Sequence, residues 1–211
     1  MGVPGVEVVI LYPKGKVSHI QELQLTTQGQ NITALEIDGV FDDCQDMVKT
    51  AFLDETLKPH RNLTSANSIN VARWLPQSFY YFFAVQELMR RKVNKPFVFS
   101  VPSGNFGNIC AGFIARELGL PISHFIASTN QNDTFPRYME NGVFEPKPSV
   151  QTMSNAMDVG NPSNFDRISK LFNQDLYRLK NICSSYHFSD KETHKAMLEL
   201  FENTSYIADP H

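Results

Sequence analysis

The sequence has few cysteines, no ligand-like spacing of histidines and no long hydrophobic run. The three cysteines (Cys44, Cys110 and Cys183) lie far apart, which excludes a disulfide-rich framework and the paired spacing of a zinc site. The six histidines are scattered as well, so we expect no metal site. No apolar stretch approaches the ~20 residues that a membrane helix requires.

The sequence also lacks an excess of positive charge. Lys and Arg number 19 against 22 Asp and Glu, for a net charge of −3. A nucleic-acid surface or a polybasic membrane patch needs clustered positive charge, so we expect neither partner. The first residues have neither the basic nor the long apolar region of a signal peptide, which predicts a cytoplasmic protein.

Short β-branched runs alternate along the chain with amphipathic helical patterns. Strands are predicted at residues 6–12, 32–38, 96–101 and 124–128. Helices are predicted at residues 18–29, 42–52, 71–91, 108–118, 165–172, 175–186 and 191–203. This alternation favours an α/β fold with a mostly parallel sheet flanked by helices.

The helix predicted at residues 71–91 is dense in aromatic side chains. Pro76 is expected to kink it or to mark its true first turn. Because the aromatic residues occupy its whole circumference, we expect this helix to be buried inside a larger body. The polar stretch near residues 55–65, just before it, is the candidate domain boundary.

A glycine-rich loop between a predicted strand and a predicted helix is the strongest candidate site. The loop consists of Ser103, Gly104, Asn105, Phe106, Gly107 and Asn108. Its glycines let the backbone approach a ligand closely, and free N–H groups at a helix start bind phosphate. The loop matches neither a nucleotide P-loop nor the GxGxxG fingerprint. An ordinary tight turn that binds nothing remains an alternative.

A second candidate anion site lies at the start of the aromatic-rich helix. Asn67 and Ser68 supply short polar side chains there, and Arg73, further along, can hold a phosphate in a bidentate manner. The alternative is a helix cap formed by Ser68 or Asn70, with Arg73 on the solvated face.

Three further features carry weaker signals. The segments at residues 132–134 and 155–158 are polar, and each is interpreted as a cap or a turn. Cys110 follows the glycine-rich loop, where the helix dipole lowers a thiol pKa, although a small residue in a packed helix is more often inert.

Several motifs, in a fixed order, resemble those of one known family. The glycine-rich motif is PSGNFGN, preceded by VVILYPKGKVSHIQELQ and LTSANSINVARWLPQ and followed by ASTNQNDTFPRY and MSNAMDVGNPSNF. Together they resemble threonine synthase of the bacterial and fungal type, nearly end to end. The resemblance implies a pyridoxal-phosphate (PLP) enzyme of fold type II, which is tryptophan-synthase-β-like: a three-layer, mostly parallel sheet flanked by helices.

The resemblance also implies a reaction and roles for the two candidate sites. The family converts O-phospho-L-homoserine and water into L-threonine and phosphate. The loop from Ser103 to Asn108 would hold the phosphate of PLP. Asn67, Ser68 and Arg73 would receive the phosphate of the substrate.

The sequence departs from the family pattern in what it lacks. None of its lysines lies in the motif of the family's Schiff-base lysine, so no catalytic residue is assigned. The pattern also stops at Asp209-Pro210-His211 as a new element begins. We therefore expect an incomplete fold: residues 1–60 from the rear of the smaller domain and residues 61–211 from the front of the larger, PLP-phosphate-binding domain. Such a chain is expected to be inactive alone.

Two other functions stay open at this point. One is another PLP-dependent lyase or dehydratase of the same fold type. The other is a stand-alone module that binds a phosphorylated ligand without catalysis. The oligomeric state is left open.

Overall fold

The structure, a computed structural model, describes residues 2–67 and 70–211, with the backbone alone at Trp74. Contacts between Cα atoms divide the chain into two compact units, Met1–Leu63 and Thr64–His211.

The first unit is a β-α-β-α segment. Its elements are β1 (Val8–Pro13), α1 (His19–Thr26), β2 (Ile32–Ile37) and α2 (Phe41–Leu53). β1 and β2 pair in parallel, with Val8 opposite Ile32. Helix α1 begins where its sequence predicts, because Ser18 and Gln21 form a reciprocal capping box at its start.

The second unit contains the remaining elements of the described chain. They are α3 (Val71–Trp74), α4 (Ser78–Arg90), β3 (Phe97–Pro102), α5 (Gly107–Glu117), β4 (Ile122–Thr129), α6 (Thr134–Asn141), a 3-10 turn (Asn155–Met157), α7 (Phe165–Leu171), α8 (Leu176–Lys180), β5 (Cys183–His187) and α9 (Asp190–Thr204). The strands form one parallel sheet in the order β3-β4-β5. The predicted α/β class with parallel strands is confirmed.

The core of the second unit packs around this sheet and includes residues of helices α4 to α8. Phe125 of β4 and Phe113 of α5 are fully buried, and their rings meet edge to face at 4.9 Å between centroids. Gly112 allows the close approach, since a Cβ there would lie 2.7 Å from ring atoms of both Phe125 and Tyr81. These contacts hold the sheet, α4 and α5 together.

The single helix predicted at residues 71–91 is two helices in the structure. Pro76 lies in the turn between α3 and α4, where its missing N–H and its ring prevent a continuous helix. The expected burial applies to one face only: Tyr81 and Val85 are buried, whereas Phe83 is 68% exposed.

The helix predicted at residues 175–186 is wrong in its second half. The chain forms the short helix α8 and then β5, in which Cys183 pairs with Phe125. Ser184 and Ser185 give β5 no apolar alternation, so pairing with β4 decides its conformation. The sequence predicts no helix at α6, although residues 132–134, interpreted as a cap or a turn, lead into it and Asp133 is its N-cap. Helix α6 tolerates Pro136 because N–H groups in the first turn of a helix have no intrahelical acceptor, so a proline there removes no hydrogen bond.

Candidate functional site

The glycine-rich loop connects the carboxyl end of β3 to the start of α5. The N–H of Ser103 donates to the carbonyl of Ser128 at 2.8 Å, which ties the loop to the end of β4. The Ser103 hydroxyl donates to the carbonyl of Val101 at 2.9 Å, in a buried position. The Ser103 hydroxyl therefore donates within the protein.

Gly104 is required by a close backbone approach. A Cβ at this position would lie 2.7 Å from the Cα of Met157, closer than real Cβ contacts come. The 3-10 turn therefore lies directly against the loop. The sequence predicted a ligand as the reason for this glycine, whereas in the structure another stretch of backbone approaches it.

Phe106 has the left-handed backbone conformation (φ 60°, ψ 15°) immediately before α5. A phenylalanine adopts this region rarely and at a cost, so surrounding contacts must hold it. Its buried ring packs on Phe135, with 4.4 Å between centroids. A left-handed residue followed by a helical one turns successive N–H groups towards one concave point, which forms an anion-binding nest.

Two residues that the sequence interpretation missed hold Asn105. Its side-chain oxygen accepts from the N–H of Ser163 at 2.6 Å and from the Ser163 hydroxyl at 2.9 Å. Its backbone carbonyl accepts from the side-chain amide of Asn164 at 2.9 Å. No local signal in the sequence indicates that the polar pair before α7 reaches the loop.

Asn108 is held from the opposite helix. Its side-chain oxygen accepts from the Tyr81 hydroxyl at 2.6 Å. Burial raises the pKa of Tyr81 well above its usual range, so its hydroxyl keeps its proton and donates. The side-chain oxygens of Asn105 and Asn108 are thus engaged as acceptors, and the backbone N–H groups at the start of α5 are available as anion donors. The ordinary helix geometry gives these groups no acceptor within the helix.

The second candidate site is built mainly from local contacts. Ser68 lies outside the described residues, with Ile69. Asn70 caps α3, because its side-chain oxygen accepts from the N–H of Ala72 at 3.0 Å. Arg73 is exposed, and its guanidinium donates to the carbonyl of Ala66. Asn67 is half-buried and accepts at its carbonyl from the N–H of Asn70, at 3.0 Å.

The two weaker polar segments of the sequence meet in one buried network. Asn130 donates to an Asp158 carboxylate oxygen at 2.9 Å and to the Thr152 hydroxyl at 2.8 Å. The Asn132 amide donates to the same oxygen of Asp158 at 3.2 Å and to the carbonyl of Val150 at 3.0 Å. This network fastens the loop-contacting segment to the carboxyl end of β4.

A cavity of about 310 Å³ opens at the same edge of the sheet. Pro102 and Thr129 line it from the strand ends, Met157 from the 3-10 turn, and Met197 and Leu200 from α9. The carboxyl ends of parallel strands are the usual location of ligand sites in open α/β sheets. Met157 lines this cavity and also lies against Gly104 of the glycine-rich loop.

Other chemistry at this site is limited. Burial raises the pKa of the Cys110 thiol to about 11, although the nearby Arg167 guanidinium acts in the opposite direction. The helix start does not activate this thiol, which supports the interpretation of Cys110 as an inert packing residue. Within residues 2–67 and 70–211, no cluster of His, Cys, Asp or Glu can hold a metal ion. The same residues include no helix long and apolar enough for a membrane span.

Comparisons with known proteins support the resemblance that the motifs indicated. A family model described as "Pyridoxal-phosphate dependent enzyme" matches residues 3–211. Threonine synthase from Escherichia coli (strain K12) is 48% identical over 210 residues, which cover 100% of this chain and 48% of that protein. The chain thus spans about half the length of the curated relatives it matches.

Solved structures give the same result. The crystal structure of threonine synthase from Escherichia coli aligns with a TM-score of 0.91 at 45% identity, covering 100% of this chain and 48% of that one. A PLP-bound threonine synthase from Brucella melitensis aligns with a TM-score of 0.80 at 34% identity, covering 97% of this chain and 49% of that one.

Proposed function

This chain belongs to the family of pyridoxal-phosphate dependent enzymes, and on that basis we propose that it is the central part of a threonine synthase. The proposed enzyme converts O-phospho-L-homoserine and water into L-threonine and phosphate in the cytoplasm, with PLP as cofactor. Residues 1–60 then belong to the rear of the smaller domain, and residues 61–211 to the front of the larger domain.

The observation that carries this proposal is the backbone geometry at the start of α5. The left-handed Phe106 and the helical Gly107 turn N–H groups towards one point, where the positive end of the helix dipole adds to them. A phosphate monoester suits this set of donors, because backbone N–H groups and a helix dipole stabilise its negative charge. The loop residues therefore fit the phosphate of PLP.

The residues of the loop bind and orient. Ser103 ties the loop to β4, Gly104 leaves room for the backbone of Met157, and Asn105 and Asn108 anchor the two ends of the turn. When bound, PLP stabilises negative charge on the substrate carbon skeleton. Rigid placement of the cofactor phosphate fixes the position of its reactive end relative to substrate.

Asn67, Ser68 and Arg73 are proposed to receive the substrate phosphate. Arg73 is exposed, and its guanidinium has five N–H donors, so contact with one carbonyl leaves others for a phosphate. A second anion site separate from the cofactor loop suits a substrate that carries its own phosphate. A dehydratase that acts on serine or threonine has no use for such a site.

The experiment compares phosphorylated and plain substrates with the full-length protein, purified and loaded with PLP. We expect equimolar release of L-threonine and phosphate from O-phospho-L-homoserine, and no ammonia from L-serine or L-threonine. Ammonia and an oxo acid from L-serine instead would assign the dehydratase function. PLP binding without turnover of any of these substrates would favour the alternative function, a module that binds a phosphorylated ligand without catalysis.

The 211-residue chain alone is the matched control in this assay. It contains no lysine in the motif that carries the cofactor in the family, so we propose that it produces no threonine. Turnover by the purified 211-residue chain would contradict the assignment of the cofactor lysine to a part of the protein outside it.

A further inference from the structure

A segment that contains no strand lies against the glycine-rich loop and is held by several hydrogen bonds. We call residues 147–164 the support segment. Both carboxylate oxygens of Asp158 are used within it: Oδ1 accepts from the Thr152 hydroxyl at 2.7 Å, and Oδ2 accepts from the Thr152 N–H at 3.0 Å. The amides of Asn130 and Asn132, at the end of β4, donate to Oδ1 as well. A buried network of this kind, with its groups paired, holds its members rigidly.

The support segment is also closed on itself near Gly160. A Cβ at Gly160 would lie 1.9 Å from the carbonyl oxygen of Lys147, so the two ends of the segment cross in direct contact. The carbonyl of Gly160 accepts from the hydroxyl of Thr134 in α6, at 2.8 Å and fully buried. The residues that follow Gly160 therefore start from a fixed position.

Those residues are the ones that contact the loop. Asn164 is 0% exposed. Its side-chain oxygen accepts from the guanidinium of Arg167 at 2.9 Å, and its side-chain nitrogen donates to the carbonyl of Asn105 at 2.9 Å. Arg167 thus fixes which way the Asn164 amide faces, because its guanidinium has donors only. The amide nitrogen must then point at the loop.

The position of the Asn105 carbonyl determines the direction of the Phe106 N–H, which belongs to the same peptide. In a trans peptide the C=O and the N–H point in opposite directions, and this chain has no cis peptide among its described residues. When Asn164 draws the carbonyl of Asn105 towards the support segment, the N–H of Phe106 is turned away from it. The same contact opposes relaxation of Phe106 from its left-handed conformation, on which the nest depends.

We propose that Asn164 and Ser163 are positioning residues for phosphate binding, which hold the loop in its anion-binding conformation from outside the site. The proposal rests on the proposed function, since it takes the phosphate of PLP as the anion. Neither residue lies in the loop itself. They act through Asn105, which Ser163 contacts at its side chain and Asn164 at its carbonyl.

The test uses the apo form of the full-length protein and two probes, PLP and pyridoxal. These probes have the same ring and aldehyde and differ only in the phosphate. Asn164→Asp keeps the shape and the contact with Arg167 but replaces the amide donor by an oxygen facing a carbonyl. Ser163→Ala removes the hydroxyl bond and keeps the N–H bond to Asn105.

The matched control is Ser184→Ala. It removes one side-chain hydrogen bond, to His124 within the sheet, from a half-buried serine that lies outside both the support segment and the loop. Melting temperatures of the apo variants report the structural cost of each change, and titration by absorbance gives the dissociation constants of both probes.

We expect Asn164→Asp to raise the dissociation constant of PLP about tenfold or more, because a buried acceptor loses its donor. Ser163→Ala should raise it about threefold, since one of two bonds to the Asn105 oxygen remains. Pyridoxal affinity should change less than about twofold in both variants, and Ser184→Ala should lower the melting temperature with both affinities kept.

Other results would distinguish a failure of the positioning role from a failure of the proposed function. Equal losses for PLP and pyridoxal, or no loss for either, would overturn the positioning role while leaving the proposed function intact. A wild-type protein that binds PLP no more tightly than pyridoxal would overturn the proposed function, and the positioning role with it. If Asn164→Asp does not fold, the phosphate-specific effect of Ser163→Ala decides alone.

Discussion

The two candidate anion sites have similar sequences and very different surroundings. Both combine asparagine and serine before a helix. The glycine-rich loop contacts residues far along the chain, at Met157, Ser163 and Asn164, and it precedes the eleven-residue helix α5. In the second site, Asn70 and Arg73 hydrogen-bond to Ser65 and Ala66 within the same stretch, and the site precedes the four-residue helix α3.

This difference separates a preformed site from one shaped by local contacts. In the first site, partners from distant parts of the chain hold the Asn105 carbonyl, the side chains and the left-handed Phe106, so we expect its N–H groups to stay directed without a ligand. Arg73 is exposed and keeps the rotamer freedom of a long side chain, so ligand binding must order it. We therefore expect the first site to respond to changes in packing and the second to changes in charge.

The largest effect is expected from Gly104→Ala. The added Cβ would lie 2.7 Å from the Cα of Met157, and only a shift of backbone can relieve this contact. We expect kcat/KM of the full-length enzyme to fall about 100-fold, as for a misplacement of about 1 Å in other enzymes. Gly29→Ala is the control, because nothing lies within 4 Å of its Cβ, and it should cost stability alone, about 1 kcal/mol. Normal activity of Gly104→Ala would show that the loop tolerates displacement.

A smaller and more selective effect is expected from Arg73→Ala. A hydrogen bond between charged groups contributes roughly 1.5–3 kcal/mol, so KM for O-phospho-L-homoserine should rise about tenfold or more. PLP affinity should be unchanged in a titration of the apo protein. Arg61→Ala, which also removes an exposed guanidinium that donates to a main-chain carbonyl, should leave both quantities unchanged. An unaltered KM in Arg73→Ala would remove this residue from the substrate site.

The smallest effect is expected from the thiol at the start of α5. Burial raises the pKa of Cys110 from 9.0 to about 11, so the unfolded chain loses this proton at a lower pH than the folded one. Its contribution to stability is therefore complete below pH 9 and is lost as the pH rises towards 11. Between pH 8 and pH 10, Cys110→Ala should lose about 1 kcal/mol less unfolding free energy than the wild type. Identical pH dependences, measured by urea unfolding, would mean that water reaches this helix turn.

The existence and type of most elements, and the position of the main site, could be predicted from the sequence. Ser18 predicted the start of α1, and Pro76 predicted an interruption before α4. Strand β5 could not be predicted, because its serines carry no periodic signal and its partner β4 lies more than fifty residues earlier. The identity of the phosphate-loop residues stays a prediction until a ligand is measured there.

The partners of the loop residues were harder to predict than the position of the loop in the sequence. The sequence suggested that Gly104 makes room for a ligand and that Asn105 and Asn108 donate to it. The structure shows Gly104 making room for Met157, and both asparagines accepting hydrogen bonds from Ser163 and Tyr81. A motif identifies where the backbone must turn, but the partners that hold the turn lie at sequence distances that no local pattern records.

The sequence by itself determined the alternation of strands and helices, the glycine-rich turn before α5 and the membership of a PLP-dependent family. These depend on residues a few positions apart, or on whole motifs, which can be read along the chain. Only the tertiary structure decided that β5 is a strand, that residues 147–164 support the loop and that Phe106 is left-handed. Each of these is fixed by hydrogen bonds and packing between residues that the fold alone brings together.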